Sequence, residues 1–315
     1  MKVLVTGANG FVGKAVFLRL NLMSGVTARG SVRRAALFAD DGVPLVTVGE
    51  HSVQTDWSRA LAGVQAVVHT AARVHVMQEA TADPLAEFRR VNVQGTLNLA
   101  RNAAAAGVRR FVFISSIKVN GEATQFGRPF TADDAPAPLD AYGVSKMEAE
   151  QGLRELTAQT GMEVVMIRPP LVYGPGVKAN FAALMLWLKR GVPLPLGSIQ
   201  NKRSLVALDN LVDLIVTCLT HPAAANQTFL VSDGEDVSTT ELLYRMGQAL
   251  GRPARLVPIP ASWLELAAAM VDKTSVVQRL CGSLQVDIEK TRRLLGWCPQ
   301  LSLDEGLKRA AGNIE

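Results

Sequence analysis

A tyrosine and a lysine four positions apart are the side chains of this sequence best suited to proton transfer. Tyr142 and Lys146 fall within Ala141 to Thr160, a segment whose pattern predicts a helix. Residues at that spacing share one helix face, so the ammonium reaches the neighbourhood of the phenol. Lowering the pKa of a tyrosine from about 10 to near 7 requires about 4 kcal/mol, part of which an adjacent cation supplies. Tyr142 is therefore a candidate acid or base, the alternative being a tyrosine that only packs on an amphipathic helix.

A serine pair at the end of a predicted strand supplies the third candidate catalytic group. Ser115 and Ser116 close the apolar segment that begins at Arg110. The hydroxyl of Ser116 is predicted to hold a reacting oxygen by a hydrogen bond while Tyr142 gives or takes its proton. Ser116, Tyr142 and Lys146 are the predicted catalytic residues.

Three glycines near the start of the chain predict a phosphate-binding turn. Gly7, Gly10 and Gly13 stand directly after an apolar strand and directly before a helical pattern. Glycines let the backbone approach a pyrophosphate, whose charge is met by free N–H groups and by the dipole of the following helix. The spacing is GxxGxxG rather than GxGxxG. The prediction therefore rests more on the strand before the glycines and the helix after them than on the spacing itself. The predicted dinucleotide contacts here are Gly7, Asn9, Gly10, Phe11, Val12 and Gly13.

A dinucleotide next to an acid–base tyrosine indicates hydride transfer to or from a nicotinamide. The residues that select NADP or NAD are expected near the end of the second strand, about 20 residues past the last glycine. That stretch, Arg29 to Arg34, holds no acidic residue for a ribose hydroxyl. Arg29, Ser31, Arg33 and Arg34 are instead suited to a 2'-phosphate, which favours NADP(H) and leaves NAD(H) possible. The alternative is a solvated basic loop. Glu50, Ala71 and Ala72 are predicted to line the rest of the cofactor site.

Composition sets the class of protein. The chain has 315 residues, is 48% hydrophobic and carries a net charge of +5. Its Lys and Arg residues are spread along the sequence, which argues against nucleic acid and suits a diphosphate ligand. Its three cysteines are far apart, so we expect a reducing cytoplasm and no metal site. The first strand begins within two residues of the start and no 18-residue apolar window exists, so neither a signal peptide nor membrane insertion is expected.

Alternating strand and helix patterns predict an α/β fold, a doubly wound parallel Rossmann sheet with a smaller interleaved C-terminal substrate domain. The predicted strands are Val3 to Thr6, Leu45 to Val48, Ala66 to Thr70, Arg110 to Ser115 and Glu163 to Arg168, and the predicted helices are Gly13 to Met23, Trp57 to Leu61, Pro84 to Ala106 and Ala141 to Thr160. Segments Ser204 to Ala207 and Thr228 to Val231 are expected to return to the sheet. The predicted dinucleotide domain is therefore 1–168 plus 204–232, and the substrate domain 169–203 plus 233–315.

Several motifs together make the chain resemble the extended short-chain dehydrogenase/reductases, the NAD-dependent epimerase/dehydratase family. They are Gly7 to Gly13, His69 to Ala72, Asn92 to Thr96, Ser115-Ser116, Tyr142 to Lys146, Arg168-Pro169 and Tyr173 to Gly176. The resemblance implies a UDP-sugar substrate, a cofactor contact at Pro169, and a homodimer through helices 84–106 and 141–160. It further implies substrate contacts at Ser116, Lys118, Asn180, Leu196 beside uracil, Arg203 on a phosphate, and Arg279. For each arginine, an ordinary surface ion pair is the alternative.

Departures from the family pattern narrow the expected reaction. Ile117-Lys118 stands where dehydratases place an Asp-Glu pair, so a dehydratase is disfavoured. The basic loop and the resemblance favour an NAD(P)H-dependent 4-ketoreductase of a UDP-4-keto-6-deoxy-N-acetylhexosamine in bacterial surface-polysaccharide biosynthesis. A UDP-sugar 4-epimerase with retained NAD is the alternative, and a non-catalytic NADP-binding protein the remote one.

Overall fold

The computed structural model describes residues 1–34, 45–74, 83–125, 127–270 and 274–312. Its main layer is a seven-stranded sheet in which every pairing is parallel, in the order β3-β2-β1-β4-β5-β6-β9. The strands are β1 (Lys2–Thr6), β2 (Thr27–Val32), β3 (Leu45–Thr47), β4 (Ala66–His69), β5 (Arg110–Ile114), β6 (Glu163–Arg168) and β9 (Thr228–Leu230). This confirms the predicted doubly wound α/β fold.

Helices cover both faces of this sheet because its central strands are apolar on both sides. They are α1 (Phe11–Asn21), α2 (Ser58–Leu61), α3 (Pro84–Phe88), α4 (Thr96–Ala105), α5 (Ala141–Thr160) and α7 (Leu208–Thr220). One buried cluster includes Val16 and Leu20 of α1 together with Leu211 and Ile215 of α7. The other includes Leu99 of α4 and Leu153 of α5. The two clusters hold the carboxyl ends of β1, β4 and β5 at one edge of the sheet.

A second lobe has its own small sheet and its own core. The small sheet has the order β10-β8-β7, from β7 (Leu171–Tyr173), β8 (Arg203–Ala207) and β10 (Asp236–Val237). The helices α6 (Ala179–Lys189), α8 (Thr239–Ala249), α9 (Ala261–Met270), α10 (Thr274–Cys281), α11 (Glu289–Leu295) and α12 (Leu303–Ala311) complete the chain. The core of this lobe gathers Phe181, Met185, Leu243 and Leu307.

One strand is not where the sequence pattern suggested. The segment Ser204 to Ala207 was expected to rejoin the main sheet, yet β8 pairs with β7 in parallel and with β10 in antiparallel fashion. Only β9 returns to the main sheet, beside β6. An apolar run indicates a buried strand but not its neighbour, since pairing depends on residues distant in sequence. The division into domains proposed from the sequence remains a prediction.

The long predicted helix from Pro84 to Ala106 is interrupted by a π-helical turn. Residues Arg89–Gly95 form that turn between α3 and α4. Such turns are uncommon and concentrate at functional sites, because they displace side chains from the regular helical positions. Within the described part of the chain, no helix combines the length and apolarity needed to cross a bilayer. Nor do the described His, Cys, Asp and Glu residues gather into a metal-binding group.

Candidate active site

The glycine-rich turn has the backbone geometry that a bound diphosphate requires. Gly7 has φ +65°, and the N–H of Gly10 donates to its carbonyl at 2.8 Å. A Cβ atom on Gly13 would lie 2.1 Å from the same carbonyl oxygen, so only glycine lets α1 start this close to β1. The turn therefore stays tight and leaves the amino end of α1 open to a ligand.

A cavity of about 340 Å³ lies above this turn at the carboxyl ends of β1, β2 and β4. The structure brings eight predicted cofactor residues together in its lining: Gly7, Asn9, Gly10, Ser31, Arg33, Glu50, Ala71 and Ala72. The hydroxyl of Ser31 is buried and has no hydrogen-bond partner in the described chain. Buried polar groups are normally hydrogen-bonded, so this hydroxyl is expected to bond a ligand in the cavity. This orphaned hydroxyl and the open glycine turn fit a dinucleotide.

Other predicted cofactor residues lie outside that lining. Phe11 and Val12 pack against the core between the sheet and α1, while Arg34 is exposed. The carbonyl of Pro169 accepts a hydrogen bond from the N–H of Ile117 at 3.0 Å, which ties β6 to the segment after Ser116. The cavity also has lining residues that sequence reasoning missed, namely Val32, His51, Thr70, Arg73, Val74, Arg90 and Val91. Arg73 directly follows the His69 to Ala72 motif and Arg90 precedes the Asn92 to Thr96 motif by two residues, but neither was predicted as a cofactor contact.

Arg29 does not contribute to a 2'-phosphate site, contrary to the expectation. Its guanidinium donates to the carbonyls of Arg59, Ala60 and Ala62, at 3.0, 2.9 and 3.2 Å. These carbonyls lie at the end of α2, where backbone oxygens lack helical partners. Side chains alternate between the faces of a strand, so Arg29 and Ser31 point the same way, but the long arginine reaches past the cavity to α2.

Arg33 does reach the cavity, but it faces a carboxylate there. Its guanidinium is 3.7 Å from the Glu50 carboxylate, and both side chains are more than half exposed. A phosphate on the cofactor would therefore meet the negative charge of Glu50 as well as the positive charge of Arg33. The loop does not carry the unopposed cluster of arginines that favoured NADP.

The three predicted catalytic side chains converge at the amino end of α5. The phenol of Tyr142 lies beside the Ser116 hydroxyl, and the Lys146 ammonium is 5.9 Å from the centroid of the Tyr142 ring. The same ammonium lies 4.5 Å above the Phe113 ring and donates to the carbonyl of Ile114 at 2.8 Å. The arrangement places a phenol and a hydroxyl side by side, as an acid–base pair at one substrate oxygen requires.

The pKa of Tyr142 differs from the sequence expectation. Burial raises it above 10, the Asp140 carboxylate raises it further, and the hydrogen bond with Ser116 lowers it. Lys146 does not reverse this, because burial also lowers the pKa of its own ammonium, to about 7, although Glu150 acts in the opposite direction. Without a bound ligand, the phenol is therefore a neutral proton donor.

Lys118, a predicted substrate contact, is held beside this group. Its ammonium contacts the carboxylates of Asp140 and of Glu122, the latter at 3.0 Å. Asp140 also caps α5, because its side chain accepts from the N–H of Gly143 at 2.7 Å. Burial would lower the pKa of Lys118, but the hydrogen bonds to Asp140 and Glu122 raise it. The Lys118–Asp140 contact thus fixes the position of the helix that carries Tyr142.

A buried ion pair holds together the helix and the strands that carry the catalytic residues. Glu150, one helical turn after Lys146, accepts from the Arg168 guanidinium at 2.8 and 2.6 Å and from the Ser115 hydroxyl at 2.6 Å. Arg168 also donates to the Asn120 side chain at 2.9 Å. Glu150 and Arg168 are both almost completely buried. The network joins α5 to β5 and β6 beneath the catalytic residues.

The π-helical turn connects the cofactor cavity with the catalytic helix. Asn92 accepts from the N–H of Arg73 at 2.8 Å and donates to the Arg73 carbonyl and to the Ser145 hydroxyl, both at 3.0 Å. Ser145 in turn donates to the carbonyl of Tyr142. The sequence showed Asn92 only as part of a family motif. Its bridging role depends on the π-helical turn, which no local pattern indicated.

The predicted substrate residues of the second lobe differ in their surroundings: some are exposed, one is buried, and one binds backbone carbonyls. Asn180 is exposed at the start of α6, next to Ala179 with φ +56°. The Leu196 side chain is buried in the core of the lobe, so it does not face a uracil site here. Arg203 donates to the carbonyls of Arg279 and Gly282, at 2.8 and 3.0 Å, rather than standing free for a phosphate. The Arg279 side chain is exposed.

The chain is similar to known proteins over nearly its whole length. The sequence model of the NAD dependent epimerase/dehydratase family matches residues 3–232. A UDP-glucose 4-epimerase of Vibrio cholerae is 52% identical over 310 residues, covering 98% of this chain and 94% of that protein. An N-acetyl-alpha-D-glucosaminyl-diphospho-ditrans,octacis-undecaprenol 4-epimerase of Escherichia coli O157:H7 is 27% identical, covering 98% and 93%. The solved UDP-glucuronic acid 4-epimerase of Bacillus cereus, in complex with NAD, has a TM-score of 0.79 at 21% identity and covers 100% and 98%.

Proposed function

This chain belongs to the NAD dependent epimerase/dehydratase family and is an enzyme of that family, and we propose that it is a nucleotide-sugar 4-epimerase that retains its NAD. The observation that carries the proposal is the convergence of Ser116, Tyr142 and Lys146 beside a cavity with a glycine turn. The identity with a UDP-glucose 4-epimerase over nearly the full length supports the same reaction. A UDP-hexose or UDP-N-acetylhexosamine is the proposed substrate.

The chemistry needs one proton acceptor and one oxygen-binding group at C4 of the sugar. NAD held at the glycine turn and the cavity above it would supply reversible hydride transfer at C4, and its positive nicotinamide would favour the phenolate form of Tyr142. Tyr142 takes the proton of the 4-hydroxyl and later gives it back to the 4-keto oxygen. Ser116 holds that oxygen by a hydrogen bond throughout. Lys146 supplies the positive charge near the phenol and the cofactor ribose.

The cofactor assignment differs from the NADP preference expected from the loop. Arg29 is bound to the end of α2, and Glu50 opposes a phosphate near Arg33. Both contacts favour NAD, whose ribose hydroxyls suit a carboxylate such as Glu50. A retained NAD is also what a 4-epimerase needs, because the cofactor ends each turnover in the state in which it began. We place the protein in the cytoplasm.

A 4-ketoreductase of a UDP-4-keto-6-deoxy-N-acetylhexosamine is the second candidate. The specific observation in its favour is the raised pKa of Tyr142, since a neutral phenol is ready to donate a proton to a ketone. Such an enzyme would use NAD(P)H as a consumed substrate. The bacterial surface-polysaccharide setting follows only from the resemblance noted in the sequence.

The test is conversion of UDP-glucose and UDP-N-acetylglucosamine with no added cofactor, followed by chromatographic separation of the C4 epimers. Formation of UDP-galactose or UDP-N-acetylgalactosamine, with NAD in the denatured protein by mass spectrometry, is the expected result. Consumption of NADH or NADPH only when a UDP-4-keto sugar is supplied would replace the epimerase by the reductase. Inactivity in both assays with an intact fold would leave a non-catalytic nucleotide-binding protein.

A further inference from the structure

The helix α9 carries an exposed apolar surface that the active site does not use. Trp263, Leu266 and Met270 have exposed fractions of 71%, 69% and 83%. They lie at positions i, i+3 and i+7, so they form one stripe along the outer face of the helix. The opposite face, with Ala261 and Leu264, packs against the core of the second lobe. We call the three exposed side chains the apolar stripe.

Two segments of the lobe that carries the apolar stripe have an excess of positive charge. Segments 178–203 and 251–282 together contain nine Lys and Arg residues and two acidic ones, a net charge of +7 in a chain whose total is +5. Arg252 and Arg255 are exposed just before α9, and Arg279 is exposed on α10, which packs against α9. Among the described residues, these three arginines form no ion pair with an acidic side chain. Three exposed arginines therefore lie close in sequence or in space to the helix that carries the apolar stripe.

From these two features we infer that the apolar stripe and its flanking arginines dock on the surface of an anionic lipid bilayer. A helix with tryptophan and aliphatic residues on one side and arginines beside it matches an element that lies in the headgroup region without spanning the membrane. Tryptophan in particular suits this boundary, because its ring is apolar and its N–H is polar. None of the three side chains of the apolar stripe is among the residues predicted to bind cofactor or substrate or to act in catalysis, so the inference does not rest on the proposed reaction.

Two other occupants fit the surface less well. A second copy of the chain would bring two basic faces together in a symmetric contact, which repel each other. A nucleic acid would satisfy the arginines but would leave Leu266 and Met270 without an apolar partner. An anionic bilayer supplies phosphate charge and hydrocarbon at adjacent depths, so it matches both features at once.

Vesicle flotation of the whole protein tests the inference. With vesicles of equal parts phosphatidylglycerol and phosphatidylcholine at 0.1 M NaCl, we expect at least tenfold more bound protein than with phosphatidylcholine alone. The emission of the wild-type protein should shift to the blue on binding, and this shift should be absent from Trp263→Ser. Raising the salt to 1 M should weaken binding, since the Debye length falls from about 10 to about 3 Å.

Matched variants distinguish the effect of the apolar stripe from that of exposed apolar side chains elsewhere on the protein. Trp263→Ser/Leu266→Ser/Met270→Ser should lose at least tenfold in vesicle binding and keep its melting temperature and its turnover of soluble substrate. The control Leu18→Ser/Leu22→Ser removes two exposed apolar side chains, one from α1 and one from the residue that caps its carboxyl end, and should bind vesicles as the wild type does.

Four results would overturn the inference. One is wild-type protein that ignores phosphatidylglycerol vesicles, and another is a triple serine variant that binds them undiminished. The third is a wild-type oligomer that the triple substitution dissociates, because the stripe would then be covered by another copy of the chain. Binding to a single-stranded oligonucleotide as tight as to vesicles would likewise favour a different partner.

Discussion

At the scale of single residues, the phenol of Tyr142 is the group on which the proposed chemistry depends most. Tyr142→Phe keeps the ring and its edge contact with Phe88, with centroids 6.0 Å apart, so the fold should be unaffected. Loss of acid–base catalysis should lower turnover by about 10²- to 10⁴-fold with little change in substrate affinity. Steady-state kinetics check this. The control is Tyr244→Phe, which alters an exposed tyrosine on α8 and should be fully active.

The carboxylate of Glu50 is expected to decide the cofactor. Glu50→Gln keeps the shape of the side chain but removes the charge that opposes a 2'-phosphate near Arg33. NADP affinity should rise by about tenfold relative to NAD, as for the loss of one nearby like charge. Titration calorimetry with both cofactors measures the ratio. Adding Arg33→Gln should cancel the gain, and a ratio indifferent to both substitutions would place the 2'-group elsewhere.

The depressed pKa of Lys146 predicts a pH dependence of stability. Its pKa is lowered from 10.5 to about 7, so between these values the unfolded chain binds a proton that the folded chain does not. The free energy of unfolding should therefore rise with pH in this window, by about 2 kcal/mol from pH 7 to pH 9. Urea denaturation of nucleotide-free protein measures it. Lys146→Met should lack this contribution, and equal slopes for the two proteins would contradict it.

At the scale of elements, α5 offers a comparison between a buried and an exposed ion pair. Glu150 pairs with Arg168 in the interior, whereas Glu148 pairs with Arg89 at 2.6 Å on the surface. Glu150→Gln leaves a buried arginine without its counter-charge, which typically costs about 3–5 kcal/mol. Glu148→Gln should cost less than about 1 kcal/mol. Urea denaturation ranks the two variants, and similar losses would show that α5 does not depend on its buried network.

At the scale of the whole molecule, the oligomeric state of the protein remains a prediction. The sequence resemblance implies a homodimer through α3, the π-helical turn, α4 and α5. None of the strongly exposed large apolar side chains of the described chain lies on these elements, so the contact would have to use small and half-buried residues. Light scattering at micromolar concentration should give about twice the mass of one chain. A monomer would contradict the dimer, and a dimer broken by substitutions in the apolar stripe would assign it to another face.

Much of the fold and of the candidate site could be predicted from the sequence. Strands buried on both faces leave continuous apolar runs, and the turn after β1 requires glycine at Gly7 and Gly13 for reasons of local geometry. The helical spacing of Tyr142 and Lys146 is likewise a local property. Such features depend on residues within a few positions of one another. Local sequence is therefore enough to predict them.

What the sequence did not determine is the partner of each charged or polar side chain. Arg29 and Arg203 were expected at phosphates, and each instead binds backbone carbonyls at the end of a helix distant in sequence. Glu50 faces Arg33, and Glu150 lies beneath Lys146 bound to Arg168, because the sheet brings these elements together. A long side chain reaches several possible partners, and only the folded packing decides which one excludes the others. By itself, the sequence therefore determined the chemical groups of this protein, while the tertiary structure decided which of them remain available to a ligand.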